Sequence, residues 1–414
     1  MILRKLINAK GFFVTVVVVF ILSLATSVYY REGKDLKVSL FGVEQVLQKK
    51  SPYDNPTDPP RPLFRYAPGF AILLYPFLLK SKMVSPFNFE NINPSIFAWF
   101  FVGILSLFMS ALVLLNLIPS SMREVGKHNL RLSFLMAAPL IGYELANGQN
   151  KLIALFFMLM AIILFERHKM LLSAIFFCLA LTVYIPLLAF IFYFVLKGRG
   201  RFILNFAIAA LIVFVLVPSF VFGFRFNIYL LKDWFVRCLK PFFFTTSYSS
   251  YVDLRHSSQS LPSAVGRIFT LKHNHHFNYF IPPALIHIII RAFSAVILFF
   301  SCFAVWKSSK TSTRARGLEY ITLLALALIL PQYCLYYTWS WLFVFYFVMF
   351  NYINYPEVSP KQKQVIVFST FVLFICSCSI VINSLNDLSF LFWGTLIAWS
   401  GIVTALTQKN IPAS

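Results

Sequence analysis

The sequence predicts an all-α, polytopic integral membrane protein with a single membrane domain over residues 1–414, and three observations carry that prediction. The composition is 59% hydrophobic and 18% aromatic with only 12% charged residues and a mean hydropathy of +0.77, a balance outside the range of water-soluble globular chains. Apolar runs long enough to cross about 30 Å of hydrocarbon recur along the chain, and in lipid such runs must be helices because the backbone finds no water to bond. The basic residues, 36 Lys and Arg against 14 Asp and Glu for a net charge of +22, concentrate in short connections assigned to one side. Membrane lipids of the inner leaflet, which are anionic, account for that excess, so no nucleic acid is expected as a partner.

Taken in order, Gly11 to Tyr30 reads as an uncleaved first helix, with Arg4 and Lys5 before it and no small-residue cleavage site after it. Further spans are expected at about 94–118, 132–146, 150–165, 170–182, 184–196, 202–224, 279–306, 318–331, 338–352, 365–383 and 389–407. That makes about twelve, several short enough to be re-entrant. Arg123, Lys127 and Arg131, then Arg167 and Lys169, then Lys197, Arg199 and Arg201 share a cytoplasmic face with both termini. The opposite short loops carry almost nothing basic except Lys151. Two long loops, 31–93 and 225–278, face outward. In the first, the apolar stretch Ala67 to Leu79 reads as an interfacial or re-entrant helix, because a crossing there would invert the charge pattern. The six cysteines show neither a disulfide framework nor zinc spacing. His273, His275 and His276 read as a solvated or phosphate-contacting loop rather than a metal site, since no carboxylate or thiol stands at ligand spacing.

The candidate chemistry gathers just behind the first helix. Asp35, in Gly33-Lys34-Asp35-Leu36-Lys37-Val38, stands where that helix emerges into water. It reads either as a loop carboxylate paired with Lys34 or Lys37, or as a general base for an acceptor hydroxyl. Tyr53, Arg61, Arg65 and Tyr66 follow in the first long loop. The planar fork of Arg65 suits a lipid headgroup and a substrate phosphate equally. Glu144-Leu145-Ala146-Asn147-Gly148-Gln149-Asn150-Lys151 reads as a tight turn with Asn150 capping the next helix, or as a pair of amides, Asn147 and Gln149, for sugar hydroxyls. Tyr336-Tyr337-Thr338-Trp339-Ser340-Trp341 either stacks on a sugar ring or forms an interfacial belt.

The order Asp35, Pro52-Tyr53, Phe64-Arg65-Tyr66-Ala67-Pro68, Gly148-Gln149-Asn150 and Tyr184-x-Pro186 resembles glycosyltransferase family 87 over roughly residues 30–270. The resemblance implies a GT-C-type helical bundle that takes a sugar, mannose or another hexose, from a polyprenyl-phosphate-linked donor. The acceptor it implies is a lipid-linked or envelope glycan, met on the outer face of a bacterial plasma membrane. It further implies Asp35 as catalytic base of an inverting transfer with no metal or other cofactor. Arg65 is then the first phosphate contact, with Arg61, Arg255, His256 and Arg267 behind it, and Tyr53, Tyr66, Asn147 and Gln149 complete the substrate-binding set. The chain departs from the family pattern at Val183, where a lysine is usual, and at Tyr336–Trp341, where a tryptophan is usually followed by a His pair. Two rivals stand beside this reading. A transporter or flippase fits the number of helices, although acidic residues are scarce in the spans and no internal repeat is visible. A catalytically silent homologue acting as an assembly partner is the other.

Overall fold

The computed structural model describes residues 9–27, 33–53, 64–78, 94–197, 200–240, 254, 257–273, 276–308, 313–332, 334–379, 385 and 388–408. Helices dominate. In chain order they are α1 (Ala9–Thr26), α2 (Lys34–Leu47), α3 (Pro68–Leu74), α4 (Pro94–Leu117), α5 (Arg123–Asn147), α6 (Lys151–Glu166) and α7 (Met170–Val183). Then come α8 (Ile191–Leu196), α9 (Gly200–Ala210), α10 (Val217–Phe222), α11 (Phe224–Trp234) and α12 (Leu261–Ile268). The chain closes with α13 (Pro283–Lys307), α14 (Thr313–Ile329), α15 (Leu342–Ile353), α16 (Pro360–Cys378) and α17 (Phe390–Thr407).

Among the described residues five helical stretches are long and apolar enough to cross a bilayer: 94–117, 200–222, 283–307, 360–378 and 390–407. The α5–α6 pair, bent by 116°, makes a sixth if it counts as one broken span. About twelve were expected from the apolar runs, and the difference lies in how those runs are broken. At 184–196, for example, Pro186 lacks a backbone N–H, and the chain runs as a 3₁₀ turn over Ile185–Phe190 before the short α8 begins.

The helical fold carries one small hairpin in its second long loop. β1 (Thr270–His273) and β2 (His276–Tyr279) form an antiparallel hairpin, with Thr270 opposite Tyr279 and His273 opposite His276. Thr270, Phe277 and Tyr279 are β-branched or aromatic types, which favour extended backbone. α11 and α12 lie in the same long loop, so its described residues are largely regular structure.

Two compact units alternate along the chain: residues 1–117, 141–185 and 200–240 form the first, and residues 118–140, 186–199 and 241–414 the second. In the first unit, α6 and α7 pack closely together, and their Ala154, Ala161, Ala174 and Ala180 are fully buried. Small residues let helix backbones approach closely, which is the usual basis of packing where lipid offers no hydrophobic drive. Ser173 fastens the pair by donating to the Ala161 carbonyl at 2.7 Å. The expected helix in the first long loop is α3, which buries Pro68, Phe70, Ala71 and Leu74 against α2, α7, α10 and α11.

In the second unit, Gly394 and Gly401 lie on one face of α17, where an added Cβ would collide with Cys376 and Ser369 of α16. Trp399 donates to Ser301 at 2.9 Å and so ties α17 to α13. A buried ion pair joins α14 to the end of α8: Lys197 Nζ lies 2.6 Å from Glu319 Oε1, and the Ser308 hydroxyl donates to that same oxygen. Trp339 and Trp341 are completely buried inside this unit, so the aromatic turn Tyr336–Trp341 is core and not an interfacial belt.

Candidate active site

The site grows from two glycine turns in the first unit that face each other. Gly33 precedes α2 with φ +56°, and Gly148 separates α5 from α6 with φ +66°, both in the left-handed region that side chains with a Cβ rarely adopt. They are also in close contact: a Cβ on Gly148 would sit 3.1 Å from Leu36 Cβ and 3.7 Å from Gly33 Cα. The start of α2, which carries Asp35, is thereby set against the corner that carries Asn147, Gln149, Asn150 and Lys151.

α2 is amphipathic, with Leu36, Ser39, Leu40, Val43 and Val46 buried, and that stripe fixes which way Asp35 turns. Asp35 is half-buried in the first turn, where the helix dipole favours a carboxylate. Ser39, one turn on, donates to the Asp35 carbonyl at 2.9 Å.

The backbone of Arg65 and Tyr66 is pinned from below. The Tyr53 hydroxyl donates to the Tyr66 carbonyl at 2.8 Å, the Trp234 indole donates to the Arg65 carbonyl at 3.2 Å, and Ala67 N donates to the Thr182 carbonyl at 3.0 Å. Tyr53 is 1% exposed, and burial pushes its phenol well above the ordinary range, so it is a fixed donor to Tyr66. Asp233 holds the neighbouring segment through the Ser51 hydroxyl and Arg237 Nε, the latter at 2.6 Å. Arg65 itself is exposed.

Tyr66 is the hub. Its phenol is pushed well above its usual range, first by burial and then by the Asp35 carboxylate, with Ser39, Asn150 and Arg65 beside it acting in the opposite sense. It therefore stays protonated and presents an O–H next to Asp35. Its ring packs on Phe70 at 4.8 Å and against Phe64 edge-on at 5.3 Å.

The opposite wall is the α5–α6 corner. Glu144, fully buried, accepts from the Leu152 N–H at 2.6 Å and caps α6. Asn147 donates to the Tyr143 carbonyl at 2.6 Å, so one of its amide protons is held within α5. Gln149 is buried. Asn150 is fully buried, its amide lying beside the Tyr66 phenol. Lys151 is 8% exposed, with its ammonium 4.3 Å from the centre of the Tyr184 ring and 5.6 Å from that of Tyr66. A lysine thus reaches the hairpin at which residue 183 is valine. Burial pushes the nearby Cys238 thiol up to about 12, which leaves it protonated and unreactive.

The expected site residues divide accordingly. Asp35, Arg65, Tyr66, Tyr53, Asn147 and Gln149 all belong to the first unit, Tyr53 acting beneath Tyr66. Arg267 belongs to the second unit, where it donates to the Ser258 carbonyl at 2.7 Å and, through Nε at 3.1 Å, to Ser389. Arg61, Arg255 and His256 lie outside the described residues. Ser39, Asn150 and Lys151 were not among the expected set, although Lys151 stood out as the lone basic residue of the opposite short loops. Together the arrangement offers a carboxylate, a protonated phenol, amides, an ammonium and a guanidinium.

The sequence model of glycosyltransferase family 87 matches residues 64–332, well over half of the chain. The chain belongs to glycosyltransferase family 87. It is a membrane glycosyltransferase, and a sugar donor and an acceptor are its substrates. The family match takes in Arg65, Tyr66, Asn147, Gln149 and Arg267, while Asp35, Tyr53 and Arg61 precede its first residue. No curated protein matches this family 87 chain.

Proposed function

We propose that this family 87 enzyme moves a hexose from a polyprenyl-phosphate carrier to a hydroxyl of a lipid-linked or envelope glycan, at the outer face of a bacterial plasma membrane. The observation that carries the reading is the Asp35 carboxylate set at the start of α2 beside the protonated Tyr66, with the Lys151 ammonium over that ring and Arg65 nearby. In the transfer, Asp35 takes the proton of the acceptor hydroxyl. The acceptor oxygen bonds to the anomeric carbon from the face opposite the phosphate. The bond from that carbon to the phosphate oxygen breaks with its electron pair, and polyprenyl phosphate leaves. The cations stabilise the charge that grows on the departing phosphate, the role electrostatic preorganisation plays in group transfer.

A single displacement by one base requires inversion, and the anomeric configuration of the first-formed product tests it. Proton NMR of the isolated glycolipid should show the configuration opposite to that of the donor. Retention would demand a covalent intermediate and a second nucleophile, and would remove Asp35 from the role assigned to it.

A further inference from the structure

Phe222 ends a 23-residue stretch, 200–222, that is long and apolar enough to cross a bilayer and most of whose residues are not buried in the protein. The chain turns at Gly223, φ +91°, and enters α11, which continues through a π turn over Phe235–Leu239. The inner face of this segment is committed to the first unit. The Asn227 amide donates to the Phe214 and Val215 carbonyls at 3.1 and 3.2 Å, and Leu230 is fully buried. Trp234 stacks on Phe214 at 6.0 Å and donates to the Arg65 carbonyl. Lys49, just past α2, donates to the Phe222 carbonyl and lies 5.0 Å from the centre of the Phe226 ring. At about 100° per residue, Phe224, Arg225, Ile228, Tyr229 and Lys232 share one arc opposite Asn227, Leu230 and Trp234. That outer arc is exposed, as are Phe235, Val236 and Lys240 after it. Its apolar surface adjoins the end of the preceding stretch, where Phe220 is 93% exposed. Asp233, the one acidic residue between 200 and 240, is taken up by Ser51 and Arg237.

Exposed aromatic and aliphatic groups interleaved with cations are the pattern of a helix lying in the headgroup layer, its rings at the acyl boundary and its basic side chains reaching up to phosphates. α11 also begins where a bilayer-crossing stretch ends, so the surface it needs is at hand. We propose that the outer face of α11 and its π turn is a docking surface for anionic phospholipid. Arg225, Lys232 and Lys240 pair with headgroup phosphates, while Phe224, Ile228 and Phe235 enter the acyl boundary. A soluble partner covering this face would have to cover Phe220 as well, which belongs to the bilayer-crossing stretch. A second copy in a two-fold contact would set the same cations against one another. From its other side the same helix holds the Arg65 carbonyl through Trp234 and the Ser51 hydroxyl through Asp233. The docked helix therefore sets the height of that segment at the bilayer, which, on the lipid-borne donor proposed above, is where the head group of the donor arrives.

The test replaces Ile228 by the photo-reactive residue benzoylphenylalanine in the full chain, held in nanodiscs of phosphatidylcholine with a minor share of phosphatidylglycerol. Mass spectrometry then counts which lipid is cross-linked. This reads lipid contact alone, so it stands or falls separately from sugar transfer. The cross-linked ratio of phosphatidylglycerol to phosphatidylcholine should exceed the bulk ratio on the order of ten- to a hundredfold, the effect of about three surface cations. Arg225→Gln with Lys232→Gln and Lys240→Gln should bring it back to within about twofold of bulk, whereas Arg225→Lys with Lys232→Arg and Lys240→Arg keeps the enrichment. All three positions are exposed, so the variants leave the packed face of α11 intact. A bulk ratio at Ile228 in the otherwise unaltered chain, or enrichment that survives the three glutamines, would overturn the proposal. Val296, exposed on α13, is the comparison position. Equal enrichment there would mean that the +22 charge of the whole chain, and not α11, gathers the lipid, and would overturn it too. A cross-link from position 228 to a second copy of the chain would make this face a self-interface instead.

Discussion

Replacing Asp35 by asparagine lowers kcat for sugar transfer by about 10²- to 10⁴-fold, the range that positioned general bases contribute. Donor KM should stay within a few-fold, because the substitution keeps the shape of the side chain and leaves Arg65, Tyr66 and Lys151 in place. The structural cost is small by comparison. Asp35 lies in the first turn of α2, where losing a favourable charge at a helix N-terminus costs about 0.3–1 kcal/mol. Steady-state kinetics on protein matched for thermal midpoint therefore separate chemistry from folding. Asp35→Glu, which keeps the base but moves it by one methylene, should fall between the two. A folded Asp35→Asn variant with wild-type kcat would show that the carboxylate has no part in proton transfer.

Lys197→Met destabilises the protein by about 3–5 kcal/mol, the cost of stranding one member of a buried ion pair. Glu319 is fully buried, and its Oε1 is met by both Lys197 and Ser308. Lysine removal leaves that carboxylate with the serine alone among these contacts. The double variant Lys197→Met with Glu319→Gln removes both charges, and it should recover much of the loss, since buried pairs roughly break even against neutral replacements of similar volume. Thermal unfolding in detergent checks this. A double variant as unstable as the single one would mean that packing of the long side chains, not charge, holds α8 to α14.

Much of this architecture was legible because lipid imposes a simple rule: an apolar run is a helix. The runs at 94–117, 283–307 and 390–407 came through nearly as read. The rule fails where proline and a short 3₁₀ turn interrupt a run, as at Pro186, because composition alone does not register a broken hydrogen-bond ladder. The hairpin at 270–279 escaped for a different reason. Its strands are four residues each, shorter than the pattern needed to declare them.

The site was half visible. Asp35 and Arg65 stand out because charges are rare in this chain, and the sequence Asn147-Gly148-Gln149 announces a turn. What the sequence hides is which partner a side chain chooses. Tyr53 looked like a substrate contact, but its hydroxyl turns to the Tyr66 carbonyl 13 residues on. Asn150 looked like a helix cap, but Glu144 took that role from six residues upstream, and the Asn150 amide lies beside the Tyr66 phenol. Lys151 looked like a stray basic residue until the 116° bend between α5 and α6 carried it over Tyr66 and Tyr184. Such assignments depend on contacts between elements distant in sequence, where local pattern carries no information.

The most direct test of the whole account is the choice of donor. Purified protein in proteoliposomes would be offered matched polyprenyl-phosphate sugars and nucleotide sugars, with an envelope-lipid extract as acceptor, and labelled glycolipid counted. The account predicts transfer from at least one polyprenyl-phosphate hexose and none from any nucleotide sugar. Transfer from a nucleotide sugar, or from no donor at all in folded protein, would contradict it.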